Sequence, residues 1–365
     1  MILNNLLSNQ MKKIQIDDKI ISTESPTYFI ADIAANHDGN LERAKELIYL
    51  CADAGADAAK FQHFTAASIV SDRGFKSLGQ QKSHQSKWNK SVFDVYQDAS
   101  IDQDWTPILK DTCNEAGITF LTSPYSYELV DKVDNFLSAY KIGSGDITWL
   151  GIVEYIASKN KPVLLATGAS TIDEVDIAMS VLLNHTKDIV LMQCNTNYTA
   201  SLENFRHINL NVLKEYSRRY PDAILGLSDH TTGHSTVLGA VTLGARVIEK
   251  HFTDDTTREG PDHKFSMDFD TWRDMVERTR ELEKSLGFEI KKVEDNEMET
   301  VILQRRSIRV KRNLAAGDVI YENDLEFLRP CPEDALPPYK LKKVINKKLV
   351  KNISAGEYIK WKNIK

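Results

Sequence analysis

The stretch Ala223-Ile-Leu-Gly-Leu-Ser-Asp-His230 indicates the fold, together with Arg246-Val-Ile-Glu-Lys-His251 one β/α unit further along the chain. Each is a short, mostly apolar run that ends in a histidine, which predicts a buried parallel strand with a functional group at its end. Side chains at the carboxyl ends of the strands of an α/β barrel meet at one mouth. Two imidazoles there could bind one divalent cation; the alternative is two separate core or loop histidines. The acidic and hydroxyl neighbours of both histidines favour the metal.

Strand-like and helix-like segments alternate outward from these two runs, from Tyr28 to about Leu286. The other predicted strands are 28–33, 58–62, 118–122, 139–142, 162–166 and 189–194. The predicted helices are 41–54, 101–116, 127–135, 150–159, 171–184, 209–220 and 234–243. Eight β/α units with short connections predict a (β/α)8 TIM barrel. Residues 65–101 are polar apart from aromatics such as Trp88 and Tyr96, and we expect a long loop there that acts as a lid or contacts substrate.

The sequence predicts four segments. These are an N-terminal hairpin or extension at 1–26, the barrel at 27–287, a charged linker at 288–304 and a small mostly-β module at 305–365. The 365 residues are enough for a barrel of ~250 residues and a smaller domain. The C-terminal module is predicted from short β-like pieces separated by turns.

Composition excludes several classes of protein. With 42% hydrophobic and 27% charged residues, the chain is typical of a globular protein. Its net charge of −6 argues against a nucleic-acid partner, and no run approaches the ~20 apolar residues of a membrane span. The N-terminus lacks the features of a secretory signal, and the four cysteines show no CxxC spacing. We therefore expect a cytoplasmic protein with reduced thiols.

Polar residues follow each predicted strand and would ring the barrel mouth. They are Asp32, Lys60, Gln62, Thr122, Ser123, Lys141, Ser144, Ala166 to Gly168, Thr196 to Tyr198, Ser228 to His230, Lys250 and His251. Two lysines and several hydroxyls suit a phosphate-bearing anion, and a metal would polarise a carbonyl oxygen. Each residue also has a structural alternative: Asp32 could cap a helix, the lysines could reach solvent, and Ser144, Ser228 and Asp262 could serve local turns.

Six motifs resemble the sialic acid (N-acetylneuraminate) synthase family. They are Ala31-Asp-Ile-Ala-Ala-Asn-His-Asp-Gly39, Ala54-Gly-Ala-Asp-Ala-Ala-Lys-Phe-Gln62, Tyr140-Lys-Ile-Gly-Ser-Gly145, Gly226-Leu-Ser-Asp-His-Thr231, Glu249-Lys-His-Phe-Thr253 and Gly260-Pro-Asp262. The resemblance covers nearly the whole chain. It includes the tail, which is similar to the antifreeze-like (SAF) domain that follows the barrel in these enzymes.

The resemblance implies a condensation of phosphoenolpyruvate with the open-chain aldehyde of an N-acyl hexosamine, giving a nonulosonic acid and phosphate with C–O cleavage. It implies Mn²⁺ or Mg²⁺ at His230 and His251, and catalytic roles for Asp32, Lys60 and Lys141. The residues implied to bind phosphoenolpyruvate are Lys60, Ser123, Lys141, Ser144, Thr196 and Ser228. Those implied to bind the sugar are Gln62, Tyr198, Asp262 and Arg329, the last from the partner subunit of a domain-swapped homodimer.

The chain departs from the family pattern around the substrate. Asp32 replaces the usual glutamate, Ala166 and Thr196 replace a hydroxyl and an asparagine, and the tail reads Arg329-Pro-Cys. A divergent acceptor is therefore expected. The alternatives are the same chemistry on a diamino sugar, as in legionaminic or pseudaminic acid synthesis, or on a 6-phosphosugar; a non-catalytic carbohydrate-binding scaffold is the alternative outside enzymes.

Overall fold

The computed structural model describes residues 12–79, 85 and 88–365. The chain forms two compact units, of which the first ends at Gly287 and the second comprises Phe288–Lys365. Each unit is described by itself.

The first unit is built on a parallel eight-stranded barrel. After the antiparallel hairpin β1 (Lys13–Ile16) and β2 (Lys19–Ser22), the barrel strands are β3 (Tyr28–Asp32), β4 (Ala58–His63), β5 (Thr119–Pro124), β6 (Tyr140–Ile142), β7 (Val163–Ala166), β8 (Ile189–Cys194), β9 (Ile224–Asp229) and β10 (Ala245–His251). Their order is β5-β4-β3-β10-β9-β8-β7-β6, and β5 packs beside β6 to close the ring. The predicted barrel is confirmed, and its strands lie within a few residues of the predicted ranges.

Helices surround the strands and connect them. They are α1 (Leu41–Asp53), α2 (Ala66–Ile69), α3 (Asp72–Ser77), α4 (Val92–Ala99), α5 (Trp105–Glu115), α6 (Tyr127–Val133), α7 (Leu150–Ala157), α8 (Ile172–Leu183), α9 (Val212–Arg219), α10 (Ser235–Thr242) and α11 (Phe269–Leu286). Short 3-10 helices lie at Asp134–Phe136, Ser144–Asp146, Leu202–His207 and His263–Phe265. Helix α8 begins with a capping box, since Thr171 and Glu174 bond reciprocally to each other's backbone.

The expectation of an irregular loop at 65–101 is wrong for the described part of that segment. It carries α2, α3 and α4, and the side chains of Ser71 and Ser91 cap α3 and α4 by accepting from the backbone N–H groups of Gly74 and Asp94. These helices have four to eight residues, too short for a clear helical period in the sequence. Part of the predicted loop, 80–84 and 86–87, lies outside the described residues.

One end of the barrel interior is apolar. Ile14, Ile16 and Ile21 of the hairpin form one buried cluster with residues near the amino ends of the strands, among them Tyr28, Ile30 and Val247. A second, larger cluster fills the layer between strands and helices. The interior at the carboxyl ends of the strands is polar instead, so a functional site is expected at that end.

The second unit is small and mostly β, as predicted. Strand β11 (Ser307–Val310) pairs antiparallel with β12 (Leu325–Leu328), and isolated bridges such as Arg309 with Tyr358 extend the pairing. Helix α12 (Met298–Gln304) precedes β11, in the segment expected to be a linker. Further 3-10 helices lie at Asp295–Glu297, Glu322–Asp324, Pro338–Lys343 and Trp361–Asn363.

The structure also bears on membrane-spanning helices and on the state of the cysteines. None of the helices in the described ranges combines the length and apolar character that a membrane span requires. All four cysteines are free: Cys51, Cys113 and Cys194 are buried, and Cys331 is half-buried.

Candidate active site

A cavity of about 290 Å³ opens at the carboxyl ends of the barrel strands. It brings together eleven of the residues expected at the site: Asp32, Lys60, Gln62, Ser123, Lys141, Ser144, Tyr198, Ser228, His230, His251 and Asp262. Thr196 is not among its lining residues, and Arg329 belongs to the second unit. Glu249, which was not expected at the site, also lines the cavity.

Two lysines and two carboxylates form the floor of the cavity. Lys60 Nζ lies 2.7 Å from Asp32 Oδ2, and Lys141 Nζ lies 2.8 Å from Glu249 Oε1. Lys60 Nζ is also 3.7 Å from Glu249 Oε1, so the two pairs form one network. All four side chains are buried, which makes each charge dependent on its partner.

The network shifts the pKa values of its members in different directions. Burial would raise the pKa of Glu249, but Lys141 and Lys60 lower it to about 2. Burial raises the pKa of Asp32 despite the nearby Lys60. For Lys60, burial favours the neutral amine, yet Asp32 and Glu249 raise its pKa above the ordinary value. Glu249 and Lys60 are therefore charged at neutral pH, and Asp32 is the carboxyl that binds a proton more readily than usual.

The two strand-end histidines lie side by side. The ring centroids of His230 and His251 are 5.3 Å apart, and burial is the main reason that the pKa of each falls to about 3. Both imidazoles are therefore neutral at pH 7, the form that binds metal ions. His251 Nε2 is 3.6 Å from Asp32 Oδ2, which connects the histidine pair to the lysine–carboxylate floor.

Backbone contacts fix the tautomer of His230. Its Nδ1 lies 2.8 Å from the carbonyl oxygen of Asn195, so this nitrogen carries the proton and donates. The lone pair of Nε2 is then available to a ligand. A carbonyl holding the second nitrogen is the usual support of a metal-binding histidine.

Hydroxyl groups add to the lining of the cavity. Ser228 Oγ donates to Glu249 Oε1 at 3.3 Å, and Ser144 Oγ accepts from the backbone N–H of Gly168 at 2.9 Å. A side chain at Gly168 would clash, because its Cβ would lie 2.5 Å from Thr196 Cγ2 and 2.9 Å from Ser144 Oγ. The methyl group of Thr196 and the hydroxyl of Ser144 therefore both lie against Gly168.

Aromatic and amide groups line the outer part of the cavity. The ring of Tyr198 packs edge-on against His230 with centroids 4.4 Å apart, and Gln62 Nε2 donates to Asp32 Oδ2 at 3.2 Å. Asp262 Oδ2 accepts from the N–H of Ala35, and burial raises the pKa of Asp262 to about 7. Helix α4 adds Tyr96, so the segment expected to contact substrate does line the cavity.

Glu249 is a charged cavity residue that was not expected from the sequence, and the strand period could have found it. Residues two apart on a strand face the same side, so Glu249 shares the inner face with His251. By the same rule Lys250, expected in the ring, faces outward, where its Nζ contacts Asp229 Oδ2 at 2.5 Å. Thr122 and Thr167 also bond away from the cavity, with His63 and Tyr216 respectively.

The residues present fit a divalent cation. His251 Nδ1 and Asp32 Oδ1 are buried without a hydrogen-bond partner in the described part of the chain. Together with the free Nε2 of His230, they are nitrogen and oxygen donors of the kinds that Mn²⁺ and Mg²⁺ accept. No cluster of three or more His, Cys, Asp or Glu side chains with metal-binding geometry occurs among residues 12–79, 85 and 88–365. The three side chains are therefore not placed to hold an ion by themselves, and water or substrate oxygens would have to complete the coordination around the two histidines.

Comparison with known proteins places the chain in a family. Residues 47–291 match the NeuB family, and residues 305–365 match the SAF domain. The N,N'-diacetyllegionaminic acid synthase of Legionella pneumophila is 33% identical over 343 residues, which cover 92% of this chain and 94% of that protein. The pseudaminic acid synthase of Campylobacter jejuni serotype O:2 is 30% identical and covers 93% of this chain and 97% of its own.

A solved structure agrees with the family assignment. The N-acetylneuraminic acid synthetase of Leptospira borgpetersenii superposes with a TM-score of 0.69 at 25% identity, covering 80% of this chain and 97% of that one. The chain therefore belongs to the NeuB family and carries a C-terminal SAF domain. It is a transferase of the sialic acid synthase type.

Proposed function

We propose that the protein condenses phosphoenolpyruvate with the open-chain aldehyde of an N-acyl hexosamine, in a metal-dependent reaction that yields a nonulosonic acid and phosphate. The observation that carries the proposal is a set of unsatisfied buried atoms around one cavity. Asp32 Oδ1, Ser123 Oγ, Glu249 Oε2 and His251 Nδ1 all lack a hydrogen-bond partner in the described chain. Buried polar groups are nearly always paired, so four orphans lining one cavity indicate a ligand.

The lysine side of the cavity suits phosphoenolpyruvate. Lys60 and Lys141 provide positive charge in a site shielded from water, where an anion gains most. The residues proposed to hold its phosphate and carboxylate are Lys60, Lys141, Ser123, Ser144 and Ser228, together with Thr196, which lies next to Gly168. Phosphoenolpyruvate would compete with Asp32 and Glu249 for the two lysines. Its negative charge would draw the ammonium groups of Lys60 and Lys141 away from these carboxylates and toward the ligand.

The histidine side suits the acceptor. His230 and His251 would hold Mn²⁺ or Mg²⁺, and such an ion supplies Lewis acidity that polarises a carbonyl oxygen. Gln62, Tyr198 and Asp262 would bind the sugar from the outer part of the cavity. Because the two sides share Asp32, the aldehyde carbon would lie close to C3 of phosphoenolpyruvate, which reduces the entropic cost of the reaction.

Bond formation then needs proton movement at defined atoms. C3 of phosphoenolpyruvate attacks the aldehyde carbon, and the aldehyde oxygen takes a proton; Asp32, whose pKa is raised by burial, is the proposed donor. Water adds at C2 and gives one proton to the Asp32 carboxylate left by the first step. The C2–O bond then breaks as the new C2 hydroxyl passes its proton to the leaving phosphate. Lys60 and Lys141 would stabilise the negative charge that collects on the leaving phosphate.

The relatives favour a diamino sugar as the acceptor. Proteins named for N,N'-diacetyllegionaminic and pseudaminic acid synthesis match at 30–33% identity over more than nine-tenths of this chain. The name of the first states two N-acetyl groups, so we propose a diacylamino sugar in preference to N-acetylmannosamine. We further propose a cytoplasmic, domain-swapped homodimer in which Arg329 of one subunit reaches the N-acyl sugar bound by the other.

Phosphate release tests the reaction. The purified protein is incubated with phosphoenolpyruvate, Mn²⁺ and a panel of N-acyl hexosamines that includes diacylamino and 6-phosphorylated sugars, and inorganic phosphate is measured. We expect release that needs both a sugar and a divalent ion and that is lost in His230→Ala and His251→Ala. His185→Ala, which removes a histidine paired with Glu154 away from the cavity, is the matched control and should retain activity. No release with any sugar in the panel would refute the synthase function.

A further inference from the structure

A buried ion pair lies directly behind the two histidines. Asp229 and Lys250 are register partners on β9 and β10, and Lys250 Nζ is 2.5 Å from Asp229 Oδ2. Both side chains are about 1% exposed. Because side chains alternate along a strand, this pair is on the opposite face of the sheet from His230 and His251.

Both residues of the pair make further hydrogen bonds. Asp229 Oδ2 accepts from the hydroxyls of Thr231 and Thr236, each at 2.7 Å, and its Oδ1 accepts from the N–H of Thr231 at 3.2 Å. Lys250 Nζ donates to the carbonyl oxygen of Thr231 at 2.6 Å. The network therefore joins β9, β10, the turn after β9 and the first turn of α10.

The location of the network connects it to the histidine pair. His230 stands between Asp229 and Thr231, both of which belong to the network, so its backbone is held on both sides. His251 directly follows Lys250, which is held by the same contacts. The relative position of the two imidazoles thus depends on one set of bonds between neighbouring strands.

Stability alone does not account for such a pair. Two charges buried together recover little more than their desolvation cost, and apolar residues of similar volume often give equal or greater stability. What the charged pair adds is a fixed geometry, since both oxygens of Asp229 accept hydrogen bonds and Lys250 Nζ donates to two defined acceptors. Groups that orient metal ligands typically change metal affinity by 10–100-fold when they are removed.

We propose that Asp229 and Lys250 are positioning residues that set the spacing and orientation of His230 and His251 for a divalent cation. This inference rests on the proposed function, because it presumes that the histidine pair binds the metal. The two residues touch neither substrate nor metal and act through the strands that carry the histidines.

The first test compares two matched carboxylates at opposite ends of the barrel. Asp229→Asn removes the charge behind the histidines. Asp57→Asn removes a carboxylate near the amino ends of the strands, where Asp57 accepts from Lys19 Nζ and from the N–H of Phe29. Mn²⁺ affinity is measured by titration calorimetry and the melting temperature is measured without metal. We expect both variants to melt at a lower temperature than wild type. Asp229→Asn should bind Mn²⁺ at least tenfold more weakly, whereas the Mn²⁺ affinity of Asp57→Asn should stay within twofold of wild type.

A double variant separates positioning from folding. Asp229→Leu/Lys250→Met replaces the pair with apolar side chains and should restore much of the melting temperature without restoring Mn²⁺ affinity. The proposal is overturned if the double variant binds Mn²⁺ like wild type, or if Asp229→Asn does. The double variant decides alone if Asp229→Asn does not fold.

Crystal structures distinguish failure of this inference from failure of the proposed function. If wild type binds no Mn²⁺, the metal site is refuted, and the variant structures then test the positioning role. Imidazole centroids displaced from the spacing of 5.3 Å would support that role. Unchanged centroids would overturn it.

Discussion

The buried carboxylate of Glu249 offers the sharpest test of how negative charge in the site offsets the charge of the two lysines. Glu249→Gln keeps the shape of the side chain and removes the charge that faces Lys141 and Lys60. The pKa of Glu249 falls from 4.5 to about 2 in the fold, which at 1.36 kcal/mol per pH unit corresponds to about 3 kcal/mol of stability at neutral pH. Breaking a buried pair by removing one partner costs about 3–5 kcal/mol in other proteins, which is the same range.

The pH dependence gives the sign of the effect. A carboxyl with a lowered folded pKa contributes its full stability above its unfolded pKa near 4.5, and loses it as the pH falls toward 2. The difference between wild type and Glu249→Gln should therefore be greatest at neutral pH and shrink below pH 4.5. Urea unfolding at pH 7 and pH 4 measures it, and Glu42→Gln, which removes a carboxylate from an exposed pair with Lys45, is the control and should leave stability unchanged.

An added anion extends the test to binding. With Glu249 neutralised, Lys60 and Lys141 share the remaining carboxylate, so inorganic phosphate should stabilise the variant more than it stabilises wild type. Equal stability of the two proteins at pH 7, with equal response to phosphate, would refute the view that Glu249 balances the lysines.

Three further predictions concern single residues. Asp262→Asn should raise the melting temperature at pH 8 and change it little at pH 3.5. Burial raises the pKa of the Asp262 carboxyl to about 7, so its ionisation makes the fold less stable as the pH rises from the unfolded pKa toward 7. An equal effect at both pH values would contradict this prediction. Gly168→Ala should weaken phosphoenolpyruvate binding, measured by calorimetry, because the added Cβ would lie only 2.9 Å from Ser144 Oγ and would displace that hydroxyl. Unchanged affinity would exclude Ser144 from the anion site. Asp32→Asn should lower kcat more than it raises KM for phosphoenolpyruvate, and kcat that keeps its wild-type pH profile would exclude Asp32 from proton transfer.

The barrel was predictable because its strands are short apolar runs bounded by glycines and helix caps. The ends of those runs also predicted Lys60, Lys141, His230 and His251 at one cavity, since all strands of a parallel barrel finish at the same end. The short helices α2 to α4 were not predictable, because four to eight residues make about two turns or fewer, too few to establish a period.

Pairing was the other property hidden from the sequence. The list of strand-end residues contains lysines and acids but does not say which lysine meets which acid. Lys60 lies against Asp32 from the neighbouring strand β3, whereas Lys141 meets Glu249 across the barrel from β10. Such contacts depend on the inward direction of each side chain and on the width of the closed barrel, which arise only from the folded sheet.

Asp32 is one methylene shorter than the glutamate that the family resemblance implies at this position. One methylene less than glutamate would draw the carboxylate back from the cavity, yet Asp32 Oδ2 still reaches Lys60 Nζ at 2.7 Å and Gln62 Nε2 at 3.2 Å. The same oxygen is 3.6 Å from His251 Nε2, and Oδ1 has no partner in the described chain. One oxygen is therefore anchored and the other is available. An Asp32→Glu variant would advance the free oxygen by about 1.5 Å, a C–C bond length, into the space beside His251, so we expect weaker Mn²⁺ binding from the longer residue rather than improved turnover.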